Sequence, residues 1–344
     1  MHRIPKRPLG IGSPPPMSSH PSPNVRIVQE PDSGPAYTAA QQKVIEVIGK
    51  SGAAPVIPDG LSAELKAEIE AAIEPFVDLL PDGKSWENRF FLNKQSLTDV
   101  HGCEAYYLGG KADFEWNSAN SRGTIVHKAI EVSINIRGGV FPADLVEESI
   151  SRLSNDPNKT IGEFLVTLDE YSRAELIGEC SSLFTRFLEG FPPIKRAWSP
   201  QTESSIGVDL FSKRVRIGGK VDLSLGRPPD KVIIDLKTGA QFGAHRDDLR
   251  LYALLDLLTV GAAPRKVASF YIDSASIEAE DITEGTLRAA ARRLADGLTK
   301  ALEVKYAGRS PEVRAGNNCR WCTLVTECEA GQQYLAQREA DEGW

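Results

Sequence analysis

Apolar positions along this chain change their period twice, and the changes predict an order of elements. Helical spacing begins at 38–47 (Ala39, Val44, Ile45, continuing to Ile48) and resumes at 62–80, with Ser62 as N-cap and Glu64 just inside. Residues 122–137 carry the stripe Val126, Ile130, Ile134, and Gly138-Gly139 stops it. Two more helical stretches cover 143–153 and 160–189, the second aligning Leu176, Cys180, Leu183 and Phe187. Alternation then takes over at 202–210, 215–225 and 231–236. In the middle run Val215, Ile217, Val221 and Leu223 alternate with Arg216, Lys220 and Asp222, which predicts one apolar face and sets Asp222 on the other. A helix at 245–260 ends at Gly261 and Pro264; a strand at 266–272 and a long helix at 283–306 follow. Residues 90–107 are mixed, and no internal repeat appears. This order predicts an α/β fold around one central sheet flanked by helices.

The second and third strands flank a Gly-Arg-Pro-Pro-Asp turn, and the third ends in Asp235-Leu236-Lys237. Residues two apart on a strand share a face, so Asp235 and Lys237 stand side by side, and the hairpin brings Asp222 close to them. Grouped carboxylates bind hard cations such as Mg²⁺ through oxygen, and a neighbouring Lys stabilises developing phosphoryl charge or orients water. Surface Asp–Lys pairs are common and worth little. Here, however, Ile233 and Ile234 precede the charges, which marks the end of a buried strand. His127 and Glu131 share a helix face after Arg122-Gly123-Thr124. A lone helix histidine is more often structural than a ligand.

Composition narrows the setting. At 344 residues, 41% hydrophobic and 25% charged, the chain has ample core for one large domain or two modest ones. No apolar run approaches the roughly 18 residues of a membrane span. Basic residues at the N-terminus lack an apolar segment behind them, and five cysteines argue against a disulfide framework; a cytoplasmic setting is expected. Net charge −7 places any nucleic-acid contact in a local groove, not in the global field. Residues 1–36 hold many of the 22 prolines and read as a disordered arm. A helical segment at 37–89, a main domain at 90–330 and a tail at 331–344 complete the expected organisation.

Cys319, Cys322 and Cys328 have the C-x2-C-x5-C spacing of thiolate ligands to a soft metal centre. Three thiolates need a fourth. Cys180 sits in an apolar helix stripe, where a free cysteine behaves as a small hydrophobe. Cys103, in a polar irregular segment, is the better ligand. Zinc and an iron–sulfur cluster both satisfy four cysteines.

Together these residues resemble the PD-(D/E)XK nuclease superfamily, in its RecB-like branch with an iron–sulfur cluster. RGTIVHKAIE resembles the helix with the metal-binding histidine, here His127; GGKVDL and IIDLKTG resemble the next two motifs. The resemblance implies a restriction-endonuclease-like core with helical insertions and an iron–sulfur clasp. It implies Mg²⁺ or Mn²⁺ held by His127, Asp222, Asp235 and the Leu236 carbonyl, with Lys237 catalytic. HRDDLRLYALL resembles the following helical motif, usually Gln and then Tyr four residues on. Tyr252 is present, and Asp248 stands in the Gln position. Glu203 resembles an acid often found near this site, and Arg246 and Arg250 flank it as candidate phosphate contacts. A 4Fe–4S cluster on Cys103, Cys319, Cys322 and Cys328 is also implied, although Cys103 is followed by Glu where the branch usually has Pro. The implied activity is exonucleolytic hydrolysis of single-stranded DNA in repair, recombination or defence. No nucleoside-triphosphatase motif appears, so a helicase or other DNA-processing protein is the implied partner. The alternative is a non-catalytic nuclease fold that binds DNA or a protein partner.

Overall fold

A computed structural model describes residues 37–49, 56–136, 141–157, 159–239 and 244–342; the arm expected at 1–36 and the stop at Gly138-Gly139 lie outside them. Helix α1 (Ala39–Ile48) opens on a reciprocal cap, in which Thr38 Oγ1 accepts from the Gln41 N–H and Gln41 Oε1 from the Thr38 N–H. Helix α2 (Leu61–Ile73) starts at Gly60, not at Ser62, whose hydroxyl donates instead to the Leu257 carbonyl. Strand β1 (Phe90–Leu92) leads directly into α3 (Lys94–Gly102), capped by Asn93 and followed at once by Cys103. Helix α4 (Ser118–Asn135) begins earlier than the apolar stripe indicates, because Asn117 caps it five residues ahead of Arg122.

Helix α5 (Pro142–Ser154) follows, and the single helix expected at 160–189 is two. Helix α6 (Ile161–Thr167) stops, and Asp169 caps α7 (Glu170–Gly190) by accepting from the Ser172 N–H. A side-chain cap ends one helix and starts another without disturbing the apolar spacing, so periodicity alone runs through the break.

Strands β2 (Gln201–Leu210), β3 (Val215–Leu225) and β4 (Val232–Lys237), helix α8 (Ala244–Val260), strands β5 (Lys266–Tyr271) and β6 (Ser276–Asp281), and helices α9 (Glu284–Tyr306) and α10 (Glu329–Glu342) complete the chain. The sheet runs β1-β3-β4-β5-β6, with β2 also paired to β3. It is mixed: β1–β3 and β4–β5 are parallel, the other pairs antiparallel. Strand β6 was not expected; its burial is mostly low, and Glu278, Glu280 and Asp281 make it read as loop. The segment expected as a C-terminal tail contains α10.

Helices cover both faces. One core joins α2, α3, α8 and α9 to Val215, Ile217 and Val221. The other joins α1 and α4–α7 to Leu223, Leu225, Ile234 and Leu236. Val221 and Leu223 thus serve different cores, which corrects the expectation of one apolar face along β3. No described helix is long and apolar enough to cross a membrane.

Candidate active site

The change of face on β3 has a local cause. Glu203 lies opposite Asp222 between the paired residues Thr202–Leu223 and Ser204–Val221. Its φ is +50°, a left-handed conformation that costs a non-glycine residue about 1–2 kcal/mol. On the other side, β3–β4 pairing reaches Leu223–Ile234 and stops. Asp222 and Asp235 would be the next pair, so both carboxylates stand where the strands fork.

Three ligand-type side chains meet at this fork. His127 Nδ1 lies 3.6 Å from Asp222 Oδ1 and 3.9 Å from Glu203 Oε1, and the ligand atoms of all three lie within 4.8 Å of one another. His127 reaches the fork from α4 because Gly123, one turn earlier, lets the helix approach Thr238; a Cβ there would stand 3.1 Å from Thr238 Oγ1. Burial disfavours the imidazolium, but Asp222, Glu203 and Asp235 together outweigh it and hold His127 above its usual range. Burial likewise opposes the Asp222 charge. Its pairing with His127 and the Leu236 N–H, which donates to Oδ2 at 2.8 Å, nevertheless keeps its pKa low.

Asp235 is 4% exposed and held by two lysines. Lys237 Nζ stands 2.7 Å from Oδ2, at angles outside hydrogen-bond geometry, so that oxygen has no hydrogen-bond donor. Lys94 Nζ donates to Oδ1 at 3.2 Å. The sequence reading missed Lys94. It comes from α3, beyond any motif, and a lysine after an asparagine cap carries no signal of its own.

Lys94 also explains Asp248, which stands 3.9 Å from Nζ and accepts from Thr98 Oγ1 at 3.4 Å. Burial pushes the Asp248 carboxyl up, with Lys94 and Lys237 pulling the other way. Lys94 itself lies 5.4 Å from the ring centroid of Tyr252. Burial disfavours its charge, yet Asp235, Tyr252 and Asp248 hold its pKa well above the ordinary lysine range.

Tyr252 is 3% exposed and fills the space over Gly219, where a Cβ would meet its ring at 2.8 Å. It therefore supports Lys94 and β3 from behind. Leu236 is buried in the sheet, its N–H committed to Asp222. Arg250 does not face the fork as a free cation, because Glu280 grips it with two bonds of 2.9 and 2.6 Å. Arg246 is exposed and lines the same cleft as Arg250 and Glu280.

Away from the fork, Cys103, Cys319, Cys322 and Cys328 line one cavity. Backbone N–H groups of Arg314, Gly316 and Gly331 point at the sulfurs of Cys103, Cys319 and Cys328, at 3.4–3.5 Å. Gly110 leaves room for Cys322, whose sulfur would lie 2.9 Å from a Cβ there. Cys180 is apart, fully buried under α4, and burial pushes its thiol up to about 12.

The model of the PD-(D/E)XK nuclease superfamily matches residues 103–329. No curated protein matches this chain. Among solved structures, a candidate exonuclease from Eubacterium rectale is 15% identical with a TM-score of 0.46; the match covers 73% of this chain and 91% of that one. SSO0001 is 16% identical with a TM-score of 0.30, over 62% and 97% of the two chains. Neither likeness is close enough to bear on activity. The family model, which takes in His127, both strands of the fork and the C-terminal cysteines, covers most of the chain, and the chain belongs to the PD-(D/E)XK nuclease superfamily.

Proposed function

We propose that this chain is a Mg²⁺- or Mn²⁺-dependent deoxyribonuclease acting on single-stranded DNA as an exonuclease, in the RecB-like branch of its superfamily. One observation carries the reading: His127, Glu203 and Asp222 converge beside the Asp235–Lys237 pair at the strand fork. The donor set fits a hard divalent cation, being oxygen-rich with one imidazole, and Asp235 Oδ2 lacks a hydrogen-bond donor. His127, Asp222, Asp235 and the Leu236 carbonyl would hold it, with Glu203 able to join them. When bound, such a cation neutralises phosphate charge and acidifies water.

The remaining chemistry belongs to the chain. Lys237 is the cation nearest the reacting phosphate and stabilises the charge that builds on it. Lys94 and the Leu236 N–H fix the two aspartates from outside, so neither carboxylate reorients during reaction.

The cysteine cavity supports a 4Fe–4S cluster on Cys103, Cys319, Cys322 and Cys328. Its role is structural, tying residue 103 to the segment 319–328.

The test is Mg²⁺-dependent degradation of end-labelled single strands by anaerobically purified protein. Free, end-blocked and circular substrates separate exonuclease from endonuclease action. Asp235→Ala and Lys237→Ala are expected to abolish degradation; undiminished cleavage by both would remove the site assignment.

A further inference from the structure

Moving along β3 away from Asp222, residues two apart share a face, so Lys220 and Gly218 follow it, with Ser205 and Gly207 opposite them on β2. Helix α8 lies against the reverse side, at Gly219. Lys220 is half exposed and reaches Glu203 at 2.7 Å, which makes this surface continuous with the metal-ligand cluster. Gly218 and Gly207 add no side chains to the floor, and the Arg216 guanidinium lies over Gly207, 3.0 Å from where a Cβ there would stand. Phe91 borders it, 3.6 Å from where a Gly218 Cβ would stand. At about 3.3 Å per residue, Gly218 is about 13 Å from Asp222.

At the far end, Phe91 is 42% exposed and Trp86 58% exposed. Their ring centroids are 5.7 Å apart, and the Arg89 guanidinium lies 5.6 Å from the Trp86 ring. Arg89 and Arg216 share a single carboxylate, Asp209, at 4.0 and 3.2 Å, which leaves positive charge beside the rings. Scattered exposed aromatics are ordinary. Two in contact, beside cations, at the end of a track lined by Lys220 and Arg216 from a carboxylate site are the parts that bind single strands: bases stack on the rings while cations follow the phosphates. A duplex keeps its bases inside and offers none to these rings.

We propose that Trp86 and Phe91 form a base-stacking platform that holds single-stranded DNA a few nucleotides from the cleavage site, with Arg89, Arg216 and Lys220 along the backbone path. This rests on the nuclease reading of the fork.

Binding can be read without cleavage, using the full chain in EDTA, fluorescein-labelled oligo-dT, and a duplex of equal phosphate number. Trp86→Ala and Phe91→Ala are each expected to weaken oligo-dT binding by about 5- to 100-fold and to leave duplex binding unchanged. Trp86→Phe is expected to retain most of the affinity but lose part of the tryptophan quenching that oligo-dT causes in the parent. Tyr171→Ala, an exposed aromatic on α7, is the unaffected control. Should Phe91→Ala fail to fold, Trp86→Ala carries the test alone. Parent-like oligo-dT binding by the alanine variants overturns the platform, and so does equal loss on both substrates. Absence of single-strand binding by the parent also overturns it and leaves the patch to a protein partner. If the parent binds through these rings and never cleaves, the nuclease reading fails while the platform stands.

Discussion

Lys94 Nζ lies 3.9 Å from Asp248 Oδ2 and supplies the cation that an acid needs at this half-buried position. The acid at position 248 is thereby matched by a lysine from a distant helix, and the same ammonium steadies Asp235. Asp248 and Asp235 thus share one ammonium.

Lys94→Met is therefore expected to lower kcat by about 10- to 100-fold, through misplacement of Asp235. Asp248→Asn in that background should restore part of the loss, because it removes the acid left without a cation. Cleavage kinetics of the two single variants and the double variant measure the coupling, and strictly additive effects would refute it.

Glu203 gives an inverted stability order. Alanine normally exceeds glycine by about 0.5–1 kcal/mol through backbone entropy. At φ +50° the left-handed penalty of about 1–2 kcal/mol outweighs that. Glu203→Gly should be more stable than Glu203→Ala by about 0.5–1 kcal/mol in urea melts, with both impaired in Mg²⁺-dependent cleavage. The reverse order would mean that the backbone relaxes when the carboxylate leaves.

The buried pair of Asp256 and Lys231, 2.8 Å apart, sets a pH dependence remote from the fork. Burial pushes the Asp256 carboxyl up, and Lys231 pulls it back without cancelling the shift. A carboxyl raised in the folded state stabilises below its unfolded pKa and loses that contribution as pH rises through the folded value. Lys231→Met should cost about 3–5 kcal/mol at neutral pH, by leaving an uncompensated buried charge. The deficit should shrink on acidification toward the Asp256 pKa, and Asp256→Asn should remove its pH dependence. Denaturant midpoints across pH, read as differences from the parent, check it.

Cysteine replacements separate ligand from core. Cys103→Ala should lose bound iron and visible absorbance after anaerobic purification, while Cys180→Ala should keep both and lose stability alone. Iron retained without Cys103, or lost without Cys180, would exchange their roles.

Much of the fold is legible in the sequence because period-two and helical spacing are strong over long runs, as in β3 and α9. Asp235 and Lys237 are legible because they end a buried strand, and Asp222 because the hairpin sets it beside them. Lys94 is not, since its role depends on where β1 and α3 dock. Nor is the switch of cores between Val221 and Leu223, which follows from a positive φ on the neighbouring strand and leaves the alternation intact. Arg250 shows the converse: its place beside the motif suggested phosphate, and an acid on the unforeseen β6 claims it.

Helix α3 carries Lys94 at its first residue, and Cys103 follows its last. At about 1.5 Å per residue it is a strut of about 13 Å, too short to bend appreciably. A displacement at the cysteine end is thus transmitted to the ammonium on Asp235. On the proposed function, the cysteine clasp and the cleavage centre would share this one helix as a lever, and loss of the clasp would be read at the alignment of Asp235.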